Sequence, residues 1–268
     1  MNLKSFDAFE RKYIFCMWPD ANKMSEDRAA ELFSILTNTI CPVVFLTKES
    51  AKKWELADYP FHPALPYLSE CHTSDYLRSY IIHHYGGGYS DIKFTFKAWD
   101  IAFDLLKESP AYILGPELSE PGLFGLSPKY KDTPLLEDFK KNYVPFGIPN
   151  AAFISKRQTP FTQDLYNRTI ELLDNKFDEL KSNPGKIPKD SFGMKNRDGS
   201  ISKYPLDYVE LGPELFHFSL YKFKDKVIHY DINPLHVYHL LDNSDDYYRS
   251  QKQLFLDTHL PLWPIKLE

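Results

Sequence analysis

The chain has 268 residues, a formal net charge of −5 and a hydrophobic fraction of 43%. A chain of this length and composition can bury a sizeable core, and intrinsic disorder is not indicated. The negative charge argues against a nucleic-acid partner, which would require a basic surface. Residues 1–10 lack the apolar core of a signal peptide, and no apolar run approaches the ~20 residues that span a bilayer. We therefore expect a soluble protein without a membrane span.

The cysteines are few and irregularly spaced. Cys16, Cys41 and Cys71 do not match the spacing of a metal site, and their odd number prevents complete pairing. Buried free thiols are typical of a reducing compartment. This pattern favours a cytoplasmic location.

Strands and helices alternate from the start of the chain. Residues 12–18 form a short apolar run typical of a buried strand, and residues 42–46 form a second one. Residues 26–37 place apolar side chains on one helical face, and residues 49–56 predict a short helix. This order predicts an α/β fold with a mostly parallel central sheet and helices on both faces.

Trp18 ends the first predicted strand. Ligands of open α/β sheets bind at the carboxyl ends of the strands, so we expect this indole at a ligand-binding edge. It either stacks on a ligand there or closes the end of the sheet by packing.

The most distinctive stretch is residues 74–93, SDYLRSYIIHHYGGGYSDIK. Its first residues favour a helix N-terminus, with Asp75 in the first turn. Arg78 follows three residues later and therefore projects from the same face. Gly86 is expected to end the helix, because glycine adopts the left-handed conformation without strain.

An extended segment follows the glycines. Side chains two residues apart point to the same side of extended chain, so Tyr89, Asp91 and Lys93 should face one site. The glycines before them allow the backbone to approach another group closely.

The next elements frame the same edge of the sheet. Residues 99–107 predict a helix, and residues 111–114 predict a strand with Glu117 just beyond its carboxyl end. Asn150 precedes another predicted strand at residues 151–155. The remaining predictions are an irregular loop over the site at 121–129, a helix at 160–181, a loop forming a candidate acceptor-side lid at 183–202, a strand at 226–230, and an apolar tail at 261–264 that packs back or forms an interface. We expect a single domain over residues 1–268.

Residues 74–93 resemble the S-D-x-x-R … G-G-x-Y-x-D-x-D signature of GT-A-fold glycosyltransferases. The chain is most similar in this respect to glycosyltransferase family 32 and its capsular-polysaccharide relatives. The resemblance implies a GT-A, Rossmann-like fold and transfer of a hexosyl or pentosyl group from a nucleotide sugar, with UDP as the nucleotide, to a hydroxyl of a glycan. The last Asp of the signature is Lys93 in this chain.

The resemblance also implies roles for individual residues. Trp18 would stack on uracil, and Asn150 would face the donor sugar. Asp75 and Arg78 would bind sugar hydroxyls, and Asp91, with Tyr89 nearby, would bind ribose or a divalent ion. Residues 204–220 resemble the family's late Gly-Pro segment, in which Glu210 and His217 match positions that help to close the active site.

Lys93 leaves the metal requirement open. The resemblance implies Mn²⁺ or Mg²⁺ held by the second Asp, but an ammonium group has no lone pair with which to bind a metal. Three alternatives follow: Lys93 replaces the charge of the metal, Asp91 and His217 still hold a weakly bound ion, or catalysis is lost. Metal dependence is expected to be weak.

The catalytic base is equally open. An inverting transferase requires a base beside the acceptor hydroxyl, and Glu117, Asp207 and Glu210 are the candidates. Both stereochemical outcomes occur on this fold. The alternative function is a catalytically inactive sugar-nucleotide or glycan-binding module. A sugar nucleotidyltransferase is a further alternative, but it would ordinarily carry a Gly-rich, basic loop after the first strand, and this chain has none there.

Overall fold

The computed structural model of the protein describes residues 3–19, 24–118, 126–196 and 199–232. The strands in this part of the chain are β1 (Ile14–Met17), β2 (Val43–Leu46), β3 (Gly87–Ser90), β4 (Ile113–Gly115), β5 (Ala152–Ser155) and β6 (Val227–His229). The α-helices are α1 (Glu26–Asn38), α2 (Lys48–Ala51), α3 (Glu70–Tyr85), α4 (Asp100–Lys107), α5 (Pro134–Asn142), α6 (Pro160–Ser182) and α7 (Leu215–Tyr221).

The strands form one six-stranded sheet in the order β2-β1-β3-β5-β4-β6. The pairs β1–β2, β1–β3 and β4–β6 are parallel, and only β5 runs antiparallel to its neighbours β3 and β4. The prediction of an α/β fold with a mostly parallel sheet is therefore confirmed.

Helices cover both faces of the sheet because strand side chains alternate in direction. Phe15 of β1 faces a core built with α3, α6 and α7. Its neighbours Ile14 and Cys16 face a second core, built with α1 and α4. The strands are consequently buried on both faces, as expected for a parallel α/β sheet.

Helix α3 differs from the prediction at its start and agrees at its end. It begins at Glu70, because the Ser69 hydroxyl accepts a hydrogen bond from the His72 amide, so Asp75 lies beyond the first turn. At its carboxyl end Gly86 has a φ of +66°, and a Cβ there would lie 2.8 Å from the backbone nitrogen of Arg157. Glycine is therefore required at this position for both conformation and space.

Other predictions were incomplete. Helix α5 was not predicted, and no direction was predicted for the strand at β5, which is antiparallel to its neighbours. Residues 119–125 of the predicted loop over the site, and the apolar tail at 261–264, lie outside the described residues. Within the described ranges, no helix combines the length and apolar character needed to cross a membrane.

Candidate functional site

A cavity of about 260 Å³ opens at the edge of the sheet where β1 and β3 end and β5 begins. The amino-terminal half of α3 forms one wall of it. Seven predicted site residues line this cavity: Trp18, Asp75, Arg78, Tyr89, Asp91, Lys93 and Asn150. The structure therefore brings these residues together from four separate segments of the chain.

Arg78 is the centre of a buried network. Its guanidinium lies 3.0 Å from Asp75 Oδ1, donates to the Tyr89 hydroxyl at 2.9 Å and lies 3.5 Å from Asp91 Oδ1. The Tyr89 hydroxyl in turn donates to Asp91 at 2.6 Å, and the guanidinium carbon lies 4.2 Å from the centre of the Tyr89 ring. Because Arg78, Tyr89 and Asp91 each contact at least two other members of the network, it presents the cavity with preorganised polar groups.

The burial of this network changes its acid–base properties. Burial raises the pKa of Asp75 to about 6, although the Arg78 guanidinium opposes the shift. Burial opposes the charged form of Arg78, but Tyr89 and the carboxylates of Asp75 and Asp91 raise its pKa overall. Arg78 therefore remains a cation beneath the cavity, and its Nε atom has no hydrogen-bond partner among the described residues.

A π-helical turn, Glu210–Glu214, packs directly on Asp75. The contact is made by Gly212, where a Cβ would overlap the Asp75 carboxylate. The adjacent Pro213 lines the cavity. The Gly-Pro pair thus closes the cavity over Asp75, and a glycine is needed because no side chain fits between the turn and the carboxylate.

Lys93 lies beside a second buried ion pair. Arg28 Nη1 contacts Glu31 Oε2 at 2.8 Å, and the same nitrogen donates to the Ile92 carbonyl. Burial, followed by the positive charge of Arg28, lowers the pKa of Lys93 to about 8. Lys93 is therefore a cation at neutral pH, but one close to its titration range.

The wall opposite α3 is formed by the ends of two strands. Trp18 continues β1, and its amide donates to the Leu46 carbonyl at 2.8 Å. Asn150 precedes β5, and the Ala151 carbonyl accepts from the Asp91 amide at 2.7 Å. Because β5 is antiparallel, its first residues meet the last residues of β3 at this edge.

The sequence analysis missed several lining residues. Arg28 is one, although a charged residue in line with the apolar positions Leu32 and Ile35 of α1 was a visible signal. Pro188 is another and comes from the loop predicted as a lid, whereas Tyr208 comes from the following segment at residues 204–220. Residues 183–202 have no periodic pattern of apolar residues from which the contacts of this loop could be predicted.

Four candidate residues do not line the cavity. Glu117 is 79% exposed and lies 3.9 Å from His229, and Asp207 accepts a hydrogen bond from the Ser127 hydroxyl. The Lys129 ammonium lies 3.0 Å from Glu210.

His217 is fully buried in the core against Phe216. Its Nδ1 lies 2.7 Å from the Tyr143 hydroxyl. Burial lowers its pKa to about 3, so it is a neutral imidazole. His217 and Asp91 are thus not brought together around the cavity.

The donor atoms of the cavity do not fit a divalent metal. Asp91 is engaged by the Tyr89 hydroxyl and by Arg78, and the cations Lys93 and Arg28 lie nearby. Within the described ranges, no cluster of three or more His, Cys, Asp or Glu side chains is arranged to hold a metal ion. Mn²⁺ and Mg²⁺ prefer several oxygen ligands, which these cations disfavour.

Comparisons with known proteins complete the description of the site. No family model and no curated protein matches the sequence. Among solved structures, the chain is similar to one titled "PaToxG Glycosyltransferase", with 16% sequence identity and a TM-score of 0.41. The similarity covers 79% of this chain and 68% of that chain. We therefore base the function on the residues of the cavity itself.

Proposed function

We propose that the protein is a glycosyltransferase that moves a sugar from a nucleotide donor, a UDP-sugar, to a hydroxyl of a glycan acceptor. One observation carries the proposal. The residues predicted to bind the donor are distant along the chain, yet they line a common cavity. The cavity lies at the strand ends where α/β folds bind nucleotides.

The two walls suit different parts of the donor. Trp18 offers an aromatic surface for stacking of the base at the end of β1. Asp75 and Arg78 offer a carboxylate and a guanidinium to sugar hydroxyls. Asp91, held by Tyr89, is 37% exposed and offers its carboxylate to the ribose or the sugar.

The ammonium group of Lys93 is suited to stabilise the negative charge of the leaving group. Transfer breaks the bond between the anomeric carbon and the diphosphate, and the diphosphate becomes more negative as it departs. A fixed cation next to that charge stabilises the transition state more than the ground state. We propose that Lys93 supplies this cation and that turnover therefore needs neither Mn²⁺ nor Mg²⁺.

The experiment is a panel of UDP- and GDP-sugars, assayed for thermal stabilisation and for donor hydrolysis with and without EDTA. UDP-sugars should stabilise the protein and be hydrolysed in both conditions. Trp18→Ala should weaken UDP binding by ~1–3 kcal/mol, the usual range for base–aromatic stacking. Lys93→Ala should reduce turnover at least ~10-fold while leaving the melting temperature close to that of wild type.

Lys97→Ala is the matched control, because Lys97 is exposed and pairs with Asp231 rather than lining the cavity. Stabilisation by UDP-sugars without any hydrolysis or transfer would favour a non-catalytic binding module. Complete loss of activity in EDTA, combined with normal activity of Lys93→Ala, would contradict the proposed role of Lys93.

A further inference from the structure

A second lysine, Lys189, lies next to residues that line the cavity, on the loop that connects α6 to the π-helical turn. The Lys189 ammonium lies 5.6 Å from the centre of the Tyr208 ring. Tyr208 and Pro188, the residue before Lys189, both line the cavity. The ammonium is therefore next to a cavity-lining ring, on a backbone segment that itself borders the cavity.

The loop is anchored firmly enough to position this side chain. The Pro188 carbonyl accepts from the Cys71 amide at 3.0 Å, which ties the loop to the first turn of α3. Three residues earlier, Gly185 packs so closely on Ser69 that a Cβ would lie 2.6 Å from its amide nitrogen. The Tyr208 amide donates to the Ser191 hydroxyl at 3.0 Å, which holds the ring beside Lys189.

Lys93 lines the cavity, and the charge of Lys189 acts on it. Burial and Arg28 lower the pKa of Lys93 most, and the charge of Lys189 lowers it further. Cys71 is another residue of the lining. Burial raises the pKa of its thiol, and the charge of Lys189 opposes that shift. One ammonium comes from the end of β3, and the other lies beside the lining ring of Tyr208, so both positive charges lie close to the same cavity.

We propose that Lys189 and Lys93 together form a two-cation site for the diphosphate of a nucleotide sugar. An anion with two phosphate groups relieves the repulsion between the two ammonium groups and bonds to both of them. This inference rests on the proposed function, because that function supplies the diphosphate. It adds a binding residue from a loop outside the motif.

The test compares wild type, Lys189→Met and Lys189→Arg for binding of UDP, UMP, uridine and inorganic pyrophosphate. Calorimetry at fixed low salt measures each affinity. A charge-assisted hydrogen bond is worth ~1.5–3 kcal/mol, so Lys189→Met should lose roughly 10- to 100-fold in affinity for UDP and pyrophosphate. Uridine affinity should stay unchanged, and Lys189→Arg should retain most of the UDP affinity.

Lys186→Met provides the control, because Lys186 is an exposed lysine of the same loop. If Lys189→Met binds UDP and pyrophosphate as tightly as Lys186→Met does, the two-cation site is wrong and the proposed function still stands. If wild type binds neither UDP, GDP nor pyrophosphate, both the two-cation site and the proposed function are wrong.

Discussion

Lys93 places a positive charge beside the carboxylate of Asp91 in the lining of the cavity. It follows Asp91 at the end of β3 and borders the buried pair of Arg28 and Glu31. Its pKa of about 8 reflects burial near another cation. A lysine in such a position is positive at neutral pH and easily neutralised above it.

The first prediction concerns pH. UDP affinity should fall as the pH rises through about 8, because Lys93 loses its charge there. Lys93→Arg should abolish this fall, since a guanidinium stays protonated. Calorimetric titrations with UDP at intervals between pH 7 and 9.5 measure the effect, and parallel curves for the two proteins would contradict it.

The stability of the free protein should move in the opposite direction. The folded pKa of Lys93 lies below its ordinary value of 10.5, so between about 8 and 10.5 the unfolded chain binds more protons than the folded protein. The contribution of this group to the free energy of unfolding therefore rises with pH in that window. Subtracting the pH dependence of Lys93→Met isolates this contribution.

At the level of elements, the π-helical turn Glu210–Glu214 and helix α3 form a single unit around Asp75. The turn allows Gly212 to touch the carboxylate, and Arg78 holds that carboxylate from the other side. Insertions of this kind in helices are frequent at functional sites. The position of Asp75 therefore depends on a segment far away in sequence.

The prediction at this level is that Gly212→Ala displaces Asp75. Donor hydrolysis should fall at least ~10-fold, because small misplacements of a positioned group are costly. UDP affinity should be nearly unchanged, since Trp18 and Lys93 lie elsewhere in the lining.

A double-mutant cycle with Asp75→Ala provides the control. The added methyl group should have little further effect once the carboxylate is gone, so the two changes should be strongly non-additive. Simple additivity, or wild-type turnover in Gly212→Ala, would show that the contact is unimportant.

The sequence predicted most elements because their signals are local. Strands β1 and β2 were recognisable as short apolar runs, and α6 by its Thr159 cap and apolar face. The direction of β5 was not predictable, because a helix of similar length can join parallel or antiparallel strands. Helix α5 was missed because it is short and mostly polar, and only Phe139 of its nine residues is buried.

The candidate site was likewise predictable only where local patterns specify it. Trp18, Asn150 and the residues at the end of β3 line the cavity, because they lie at strand ends that meet at one edge of the sheet. Asp75 and Arg78 of the motif line it from α3. Tyr208 and the contact of Gly212 with Asp75 depend on the path of a long loop, which no local pattern specifies. The roles of all these residues remain predictions.

At the level of the whole molecule, the sheet separates two cores, and the cavity lies at its edge rather than in either core. Stability and binding should therefore be separable. Leu173→Ala, at a fully buried position of α6, should lower the free energy of unfolding by about 2–5 kcal/mol. The folded variant should bind UDP as wild type does.

Urea unfolding and UDP calorimetry measure these two quantities. Leu135→Ala is the control for side-chain size. Because Leu135 is 37% exposed, this substitution should lower the free energy of unfolding far less than Leu173→Ala does. A large loss of UDP affinity in folded Leu173→Ala would show that the cavity depends on the packing of α6.

The lining of the cavity runs from Met17 to Pro213 along the chain. Its walls are therefore joined by contacts between residues that are far apart in sequence. Each such contact closes a long loop, and closing the loop lowers the conformational entropy of the chain. No short fragment of the protein contains the site, and a partly folded chain in which β5 has not yet inserted between β3 and β4 lacks one wall of it. The proposed nucleotide site can therefore form only once these distant segments have come together in the folded chain.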